Sequence, residues 1–265
     1  METIPLNEGR RLFGNNPATY HDARPDYPDE LYQRLIARCG LRSGSSLFEI
    51  GPGTGLASRR LLALGASPLR AIEPDPRLAG FLRESISVGV LEIDQTSFEE
   101  AILPRATFDL GVAATSFHWL EQASALAKVY QSLKPGGWWA MWWNHFGPEQ
   151  PDAFQKATDH LFIGTTDSPS MSGKGRPPFA LDHENRLKDL TAGGFLDAQV
   201  ELWHWNITFD TARLVGLYST FSPIQALEPD ARRKFLGSLA RIVDEQFGGR
   251  VERPFITVLY TAQRR

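Results

Sequence analysis

The sequence predicts an α/β fold: a doubly wound, seven-stranded, mostly parallel sheet with helices on both faces and a helical lid. Three observations predict it. Short apolar runs alternate with segments whose apolar residues recur at helical spacing. A glycine-rich turn, Gly51 to Gly55, joins the first such run to a helix. The alternation then continues as far as Trp143, and parallel strands need such crossovers to return to the same edge of a sheet.

The first helix spans Pro28 to Cys39, with Leu31, Leu35 and Ile36 on one face. Pro28 suits its first turn, where the missing N–H has no partner to lose. After the turn Leu41 to Ser45, the run Ser46 to Ile50 is a strand stopped by glycines, and Leu56, Leu61, Leu62 and Leu64 mark the helix that follows. Leu69 to Glu73 is the next strand, Pro76 to Ser85 a helix, and Gly89 to Asp94 and Phe108 to Ala114 are strands. A helix follows with Leu126, Ala127, Tyr130 and Leu133 on one side, and then the strand Trp138 to Trp143. Alternation sends Trp138, Ala140 and Trp142 to one face and Trp139, Met141 and Trp143 to the other, as packing between sheet and helices requires. Trp143, Asn144 and His145 stand at the carboxyl end of that strand, within reach of a ligand pocket.

Residues 144–182 break the rhythm. One short helix, Phe154 to Phe162, precedes a Gly, Ser and Pro cluster from Thr165 to Pro178, which predicts a mobile lid. His183 to Ala192 is then a helix and Gln199 to Thr208 a strand. Phe235, Leu236, Leu239, Ile242, Val243 and Phe247 form an amphipathic helix stopped at Gly248 and Gly249. Val251 to Thr261 is the last strand, at or next to an antiparallel edge. No internal repeat or long linker divides the chain, so one domain over residues 1–265 is expected. Within it, residues 1–40 form an N-terminal cap and first helix, and residues 145–182 a lid insertion.

Composition narrows the function. The 265 residues are 42% hydrophobic and 22% charged, a globular balance in a chain long enough to bury its core without metal or disulfide. Cys39 is the single cysteine, and the start of the chain has no apolar signal region, so a cytoplasmic setting is expected. No apolar stretch is long enough for a membrane span. With 28 Lys and Arg against 31 Asp and Glu and no basic block, nucleic acid is not expected as a partner; a small molecule is. Oligomeric state is not legible. His118, His145, His160 and His183 lack a close i, i+4 pair, so no metal site is expected.

Chemistry concentrates at Phe48-Glu49-Ile50-Gly51-Pro52-Gly53-Thr54-Gly55. Three glycines between strand and helix let the backbone turn tightly and let a ligand lie against the main chain. The helix that follows offers unpaired N–H groups to that ligand. Glu73 stands at the end of the next strand, 18 residues after Gly55, where a carboxylate can accept both hydroxyls of a ribose. A dinucleotide fingerprint places its third glycine one residue later, where this chain has Leu56, and the phosphate-loop motif is absent. Glu49 is out of place beside a pyrophosphate and suits a ligand carrying an amino group and a sulfonium.

With these residues the sequence resembles the class I S-adenosylmethionine-dependent methyltransferases, which have a Rossmann-like fold. The matching pieces are EIGPGTG at 49–55, AIEPD at 71–75, TSFEE at 96–100, FDLGVAATSFHWL at 108–120 and LKPGGWWAMWWN at 133–144. The segment from Tyr20 through Arg24 to Pro28, like the FHWL motif, resembles a small-molecule branch of that family. The resemblance implies S-adenosyl-L-methionine as cofactor, with Gly51, Gly53 and Gly55 against its methionine and ribose portions and Glu49 near its amino group. It implies that Glu73 holds the ribose hydroxyls, that Pro74 flanks the adenine, and that Ser97 and Phe98 contact the adenine edge, with Asp94 as the alternative to Ser97. Ala114 would lie under the methyl-bearing sulfur, while Tyr20 and Arg24 cap the pocket, Arg24 facing the cofactor carboxylate. His118 has two readings: a general base or substrate orienter, or a ring that caps a loop while Trp119 packs in the core. The expected function is methyl transfer to a small-molecule acceptor. The alternatives are a non-catalytic S-adenosylmethionine-binding protein and a nicotinamide-dinucleotide oxidoreductase.

Overall fold

The computed structural model describes residues 4–6, 9, 12–86, 90–147, 150–170 and 177–265. Seven strands form one sheet in the order β3-β2-β1-β4-β5-β7-β6. They are β1 (Leu47–Ile50), β2 (Leu69–Ile72), β3 (Leu91–Asp94), β4 (Phe108–Ala114), β5 (Leu133–Phe146), β6 (Leu196–Asp210) and β7 (Arg250–Gln263). The first five run parallel, whereas β7 is antiparallel to both β5 and β6. The last strand therefore lies next to the antiparallel edge, which β6 forms.

The chain order reverses between β1 and β4, leaving a crevice at the carboxyl ends of these strands, the usual ligand position in an open parallel sheet. Helices α2 (Asp29–Cys39) and α3 (Leu56–Ala63) cover one face, packing Leu31, Leu35 and Leu61 on Leu47, Val112 and Trp142. Helix α4 (Pro76–Ser85) joins Ala71 through Leu82. On the opposite face α5 (Gln122–Ser132) and α7 (His183–Ala192) pack Leu126, Val129 and Leu190 near Phe48, Trp139 and Trp143. The tryptophans of β5 alternate between the two faces as the strand period requires.

A third apolar cluster joins the elements around the sheet's carboxyl end. It combines Phe154 of α6 (Ala153–Thr158), Leu214 and Leu217 of α8 (Thr211–Ser219), Ile224 of α9 (Ser222–Gln225), Leu239 of α10 (Pro229–Phe247) and Phe255 of β7. Helix α1 (Pro17–Ala23) contributes Ala23 to it. The sequence signals of α1, α8 and α9 escaped notice because each helix is short and its apolar stripe incomplete. Side-chain caps start two of them: Asn16 accepts the Thr19 N–H at 3.1 Å, and Asp210 accepts the Arg213 N–H at 2.7 Å.

Two expected core positions are corrected. Ile36 is 44% exposed, because Tyr32 takes the place beside Leu31 and Leu35 against the sheet. Ala127 faces solvent and Val129 is buried instead, while Leu133 opens β5 rather than closing the helix. The short helix expected over 154–162 is an α-helix to Thr158 continued by a 3₁₀ turn, Asp159–Phe162. Gly89, at the expected start of β3, and Lys174 and Arg176 of the expected lid lie outside the described residues.

Candidate active site

β1 runs into the glycine turn, where Gly51 and Gly53 have φ of 63° and 60°, conformations that L side chains resist. A Cβ on Gly51 would also meet the Ser116 Cβ at 2.8 Å, whereas Gly53 faces open space. Gly55 shares the left-handed backbone, with φ of 80°, and a Cβ there would also meet Leu82 of α4 at 2.4 Å, so its missing side chain lets two helices approach. Facing the turn, the Glu73 carboxylate accepts the N–H of Gly53 at 3.0 Å and that of Asp75 at 2.9 Å. Glu73 is 3% exposed, and burial pushes its carboxyl up to about 7, against the pull of the two backbone hydrogen bonds.

Around these groups lies a cavity of about 590 Å³. Gly51, Gly53, Glu73, Pro74, Phe98 and Ala114 line it from the sheet side, and Tyr20 and Arg24 from the N-terminal cover. His118, Trp143, Asn144 and His145 line it further out. Nine of the twelve residues singled out from sequence thus share one cavity wall. Glu49, Gly55 and Ser97 do not reach it. Ser97 is turned into a local cap, its hydroxyl donating to Glu100 at 3.1 Å, and Asp94 is paired with Arg70 at 2.6 Å. Glu49 is fully buried behind the turn, where the Ser58 hydroxyl donates to Oε2 at 2.6 Å and Oε1 has no partner among the described residues. Burial pushes this carboxyl up to about 7 as well, with the nearby Glu73 charge adding to the effect.

The cover is tied to the turn by polar contacts. His21 of α1 contacts the Thr54 hydroxyl at 3.2 Å through Nδ1 and Arg59 at 2.5 Å through Nε2. Arg24 donates from Nε to the Thr220 hydroxyl at 2.8 Å, and its guanidinium lies over the rings of Tyr20 (5.1 Å) and Phe221 (4.9 Å). It has no carboxylate partner among the described residues. Asn144 donates to the Pro25 and Asp26 carbonyls and accepts the Thr257 hydroxyl at 2.7 Å, locking the cap to β5 and β7.

His118 ends up with a narrower role than sequence allowed. The Trp143 indole N–H donates to its Nδ1 at 3.0 Å. An indole nitrogen only donates, so Nδ1 accepts, Nε2 carries the hydrogen, and the ring is neutral. Burial, with the Arg24 charge adding to it, pushes the ring down to about 3. With Nδ1 taken by Trp143, the ring has the Nε2–H left to offer the cavity. Its bonded partner is a strand tryptophan rather than a loop group, while Trp119 is buried as the loop-capping reading expects.

Thr115, which sequence reasoning passed over, sits at the end of β4 with φ of 54°. Its hydroxyl bonds the Tyr27 hydroxyl at 2.8 Å, and its N–H donates to the Trp142 carbonyl at 2.7 Å. A threonine held in this sparsely populated region beside a cavity is strain of the kind functional sites store. Phe146, Tyr218, Phe221 and Arg253 complete the outer cavity. Nothing local in the sequence marks them, because they converge from β5, from α8 and the turn after it, and from β7. No group of three or more His, Cys, Asp or Glu that could hold a metal lies among the described residues.

Residues 48–141 match the family model described as a methyltransferase domain. Nearly the whole chain aligns with an uncharacterised methyltransferase of Schizosaccharomyces pombe, 24% identical over 261 residues, 96% of this chain and 97% of that one. The chain thus carries a methyltransferase domain. The chain also matches an uncharacterised methyltransferase of Mycobacterium tuberculosis, 30% identical over 132 residues, about half of each chain (50% and 51%). Its fold is that of the Haemonchus contortus phosphoethanolamine N-methyltransferase 2, with a TM-score of 0.60 at 12% identity, covering 98% of this chain and 60% of that one. The YcgJ protein of Bacillus subtilis shares it at a TM-score of 0.56 and 15% identity, covering 90% and 99%. Among the described residues no helix of the chain is long and apolar enough to cross a membrane.

Proposed function

We propose that the chain transfers the methyl group of S-adenosyl-L-methionine to a small-molecule acceptor held in the same cavity. The observation that carries this is the left-handed turn at Gly51 and Gly53, bonded through the Gly53 N–H to the buried Glu73, on the wall of a cavity at the sheet's switch point. The residues present fit the cofactor: the turn offers bare backbone, and a carboxylate stands opposite it. Gly51 and Gly53 would lie against the methionine and ribose portions, with Glu73 accepting the ribose hydroxyls. Pro74 and Phe98 would flank the adenine, and Ala114 would lie beneath the sulfur. Arg24, its charge unmatched, would pair with the cofactor carboxylate, and Tyr20 would close over it. Glu49 would act from behind the turn through its field, and Gly55 through its left-handed backbone, φ of 80°, and helix packing.

When bound, the cofactor supplies an electrophilic methyl carbon on a positively charged sulfur. The chain's own contribution is position and dryness. Trp143, Phe146, Tyr218 and Phe221 exclude water from the outer cavity, and the Nε2–H of His118 orients an acceptor atom by donating to it. We take residues 1–265 as one domain, with 1–40 as cap and 145–182 as lid. The ties of His21, Asn144 and Arg24 support the first, and the contributions of Gln155, Thr158 and Ser168 to the cavity wall support the second. A cytoplasmic setting, without nucleic-acid or membrane partners, is supported by the net charge of -3 and the single buried Cys39.

A methyl-transfer assay over small molecules and RNA, read by S-adenosylhomocysteine release, tests the proposal. Turnover with a small molecule is expected. Cofactor binding without turnover on any acceptor would favour a sensor protein, and tight competition by a nicotinamide dinucleotide would favour an oxidoreductase.

A further inference from the structure

The outer end of the cavity holds a buried cation whose hydrogen-bonding capacity is only partly used. Arg253 of β7 is 2% exposed. Its Nη1 donates to Asp152 at 2.5 Å, and its guanidinium lies over the rings of Phe154 (4.7 Å) and Phe146 (5.3 Å). The other Asp152 oxygen is taken by the Gln155 N–H at 2.7 Å, at the start of α6, so the pairing with Arg253 is one-pronged. Nε of Arg253 is buried without a partner, and Nη2 has none among the described residues. A buried guanidinium N–H left unbonded is costly, and guanidinium groups bind carboxylates best through two prongs.

Tyr218 stands beside it. The phenol is 4% exposed, lines the same cavity, and has no hydrogen-bond partner for its hydroxyl among the described residues. Both side chains pack on Phe146 and Phe154; burial pushes the phenol up, the Arg253 charge opposes that push and the Asp152 charge adds to it. Every unsatisfied group on these two side chains can therefore donate, the Arg253 N–H groups donating only and the Tyr218 hydroxyl accepting as well. Around them, Phe146, Phe162 and Phe221 supply ring faces, with Tyr218 centred 5.5, 6.2 and 5.0 Å from them. Asp159 at the rim also faces Tyr218, but it is exposed, and solvent screens its charge.

We infer that Arg253 and Tyr218 form an anchor for the methyl acceptor and select an aromatic or apolar molecule that carries a carboxylate. The inference rests on the methyltransferase reading of the cavity and adds the class of acceptor. The carboxylate would take the free N–H groups of Arg253 and the Tyr218 hydroxyl, while the body of the molecule lies among the rings and extends toward His118 and Ala114.

The test is calorimetric titration of the S-adenosylhomocysteine-loaded protein with benzoate, phenylacetate and cinnamate, each against its neutral amide. At least one carboxylate is expected to bind about tenfold or more tightly than its amide, a difference of about 1.4 kcal/mol. Arg253→Met is expected to abolish that preference while leaving the affinity for S-adenosylhomocysteine unchanged. Arg253→Lys, which keeps the charge but loses the fork, is expected to retain part of the preference. Equal binding of acid and amide by the wild-type protein, no binding of either, or an intact preference in Arg253→Met would overturn the inference. The wild-type comparison stands even if neither variant folds. Failure of the wild-type protein to bind S-adenosylhomocysteine would strike at the methyltransferase reading instead.

Discussion

The indole N–H of Trp143 donates to Nδ1 of His118 at 3.0 Å, and this single bond decides the form in which the histidine meets its ligand. Burial holds the ring neutral, with its remaining hydrogen on Nε2. The ring should then show no titration by NMR between about pH 5 and 8, since its pKa of about 3 lies below that window. His118→Ala should lower kcat without changing the shape of its pH profile. A titrating His118 signal near neutral pH would restore the general-base role.

The Glu73 carboxyl, raised by burial to about 7, makes cofactor binding pH-dependent. A carboxylate accepts two ribose hydroxyls, whereas its protonated form must donate one hydrogen itself. Affinity for S-adenosylhomocysteine should therefore fall as pH is lowered through about 7, and titrations of Glu73→Gln should be flat over the same window. A wild-type affinity independent of pH would contradict this.

Glu49 sets stability against function. Its ordinary pKa of 4.5 rises to about 7 on folding, chiefly by burial, so between these values the folded state holds the extra proton. Stability conferred at low pH is lost as pH rises through that interval. Glu49→Gln should consequently be more stable than the wild type above pH 7, by on the order of 2–3 kcal/mol, and the difference should vanish near pH 4. Denaturant melts at the two pH values check it. A variant less stable at high pH would mean that the carboxylate is satisfied in the fold.

The two glycines of the turn should separate sterics from conformation. Gly51→Ala must adopt a φ of 63° and also displace Ser116, whose hydroxyl donates to the Ile50 carbonyl at 2.5 Å. Gly53→Ala meets only the conformational cost, about 1 kcal/mol. Thermal melts should rank Gly51→Ala below Gly53→Ala, and equal melting temperatures would show that Ser116 yields freely.

Much of this molecule was legible because period and punctuation agree. The WWAMWW alternation gave the facing of β5, the glycines gave the turn, and Glu73 stands out by its distance from them. Ile36 was misplaced because leucine and isoleucine spacing cannot show that Tyr32 fills the seat next to the sheet. Ser97 looked like a ligand contact because sequence cannot show its hydroxyl committed to Glu100. Arg253 was invisible for a deeper reason. Its burial depends on α6 and α8 folding over the end of β7, contacts between residues about 40 to 100 positions apart in the chain, and no local pattern encodes them.

Isothermal titration of the purified chain with S-adenosylhomocysteine puts the cavity to the proof. One site per chain should be seen, and Glu73→Ala should weaken it by about 1–3 kcal/mol, the scale of a lost charge-assisted hydrogen bond. No heat of binding at high micromolar ligand, or an unchanged affinity in Glu73→Ala, would show that the glycine turn and the carboxylate opposite it do not hold the cofactor.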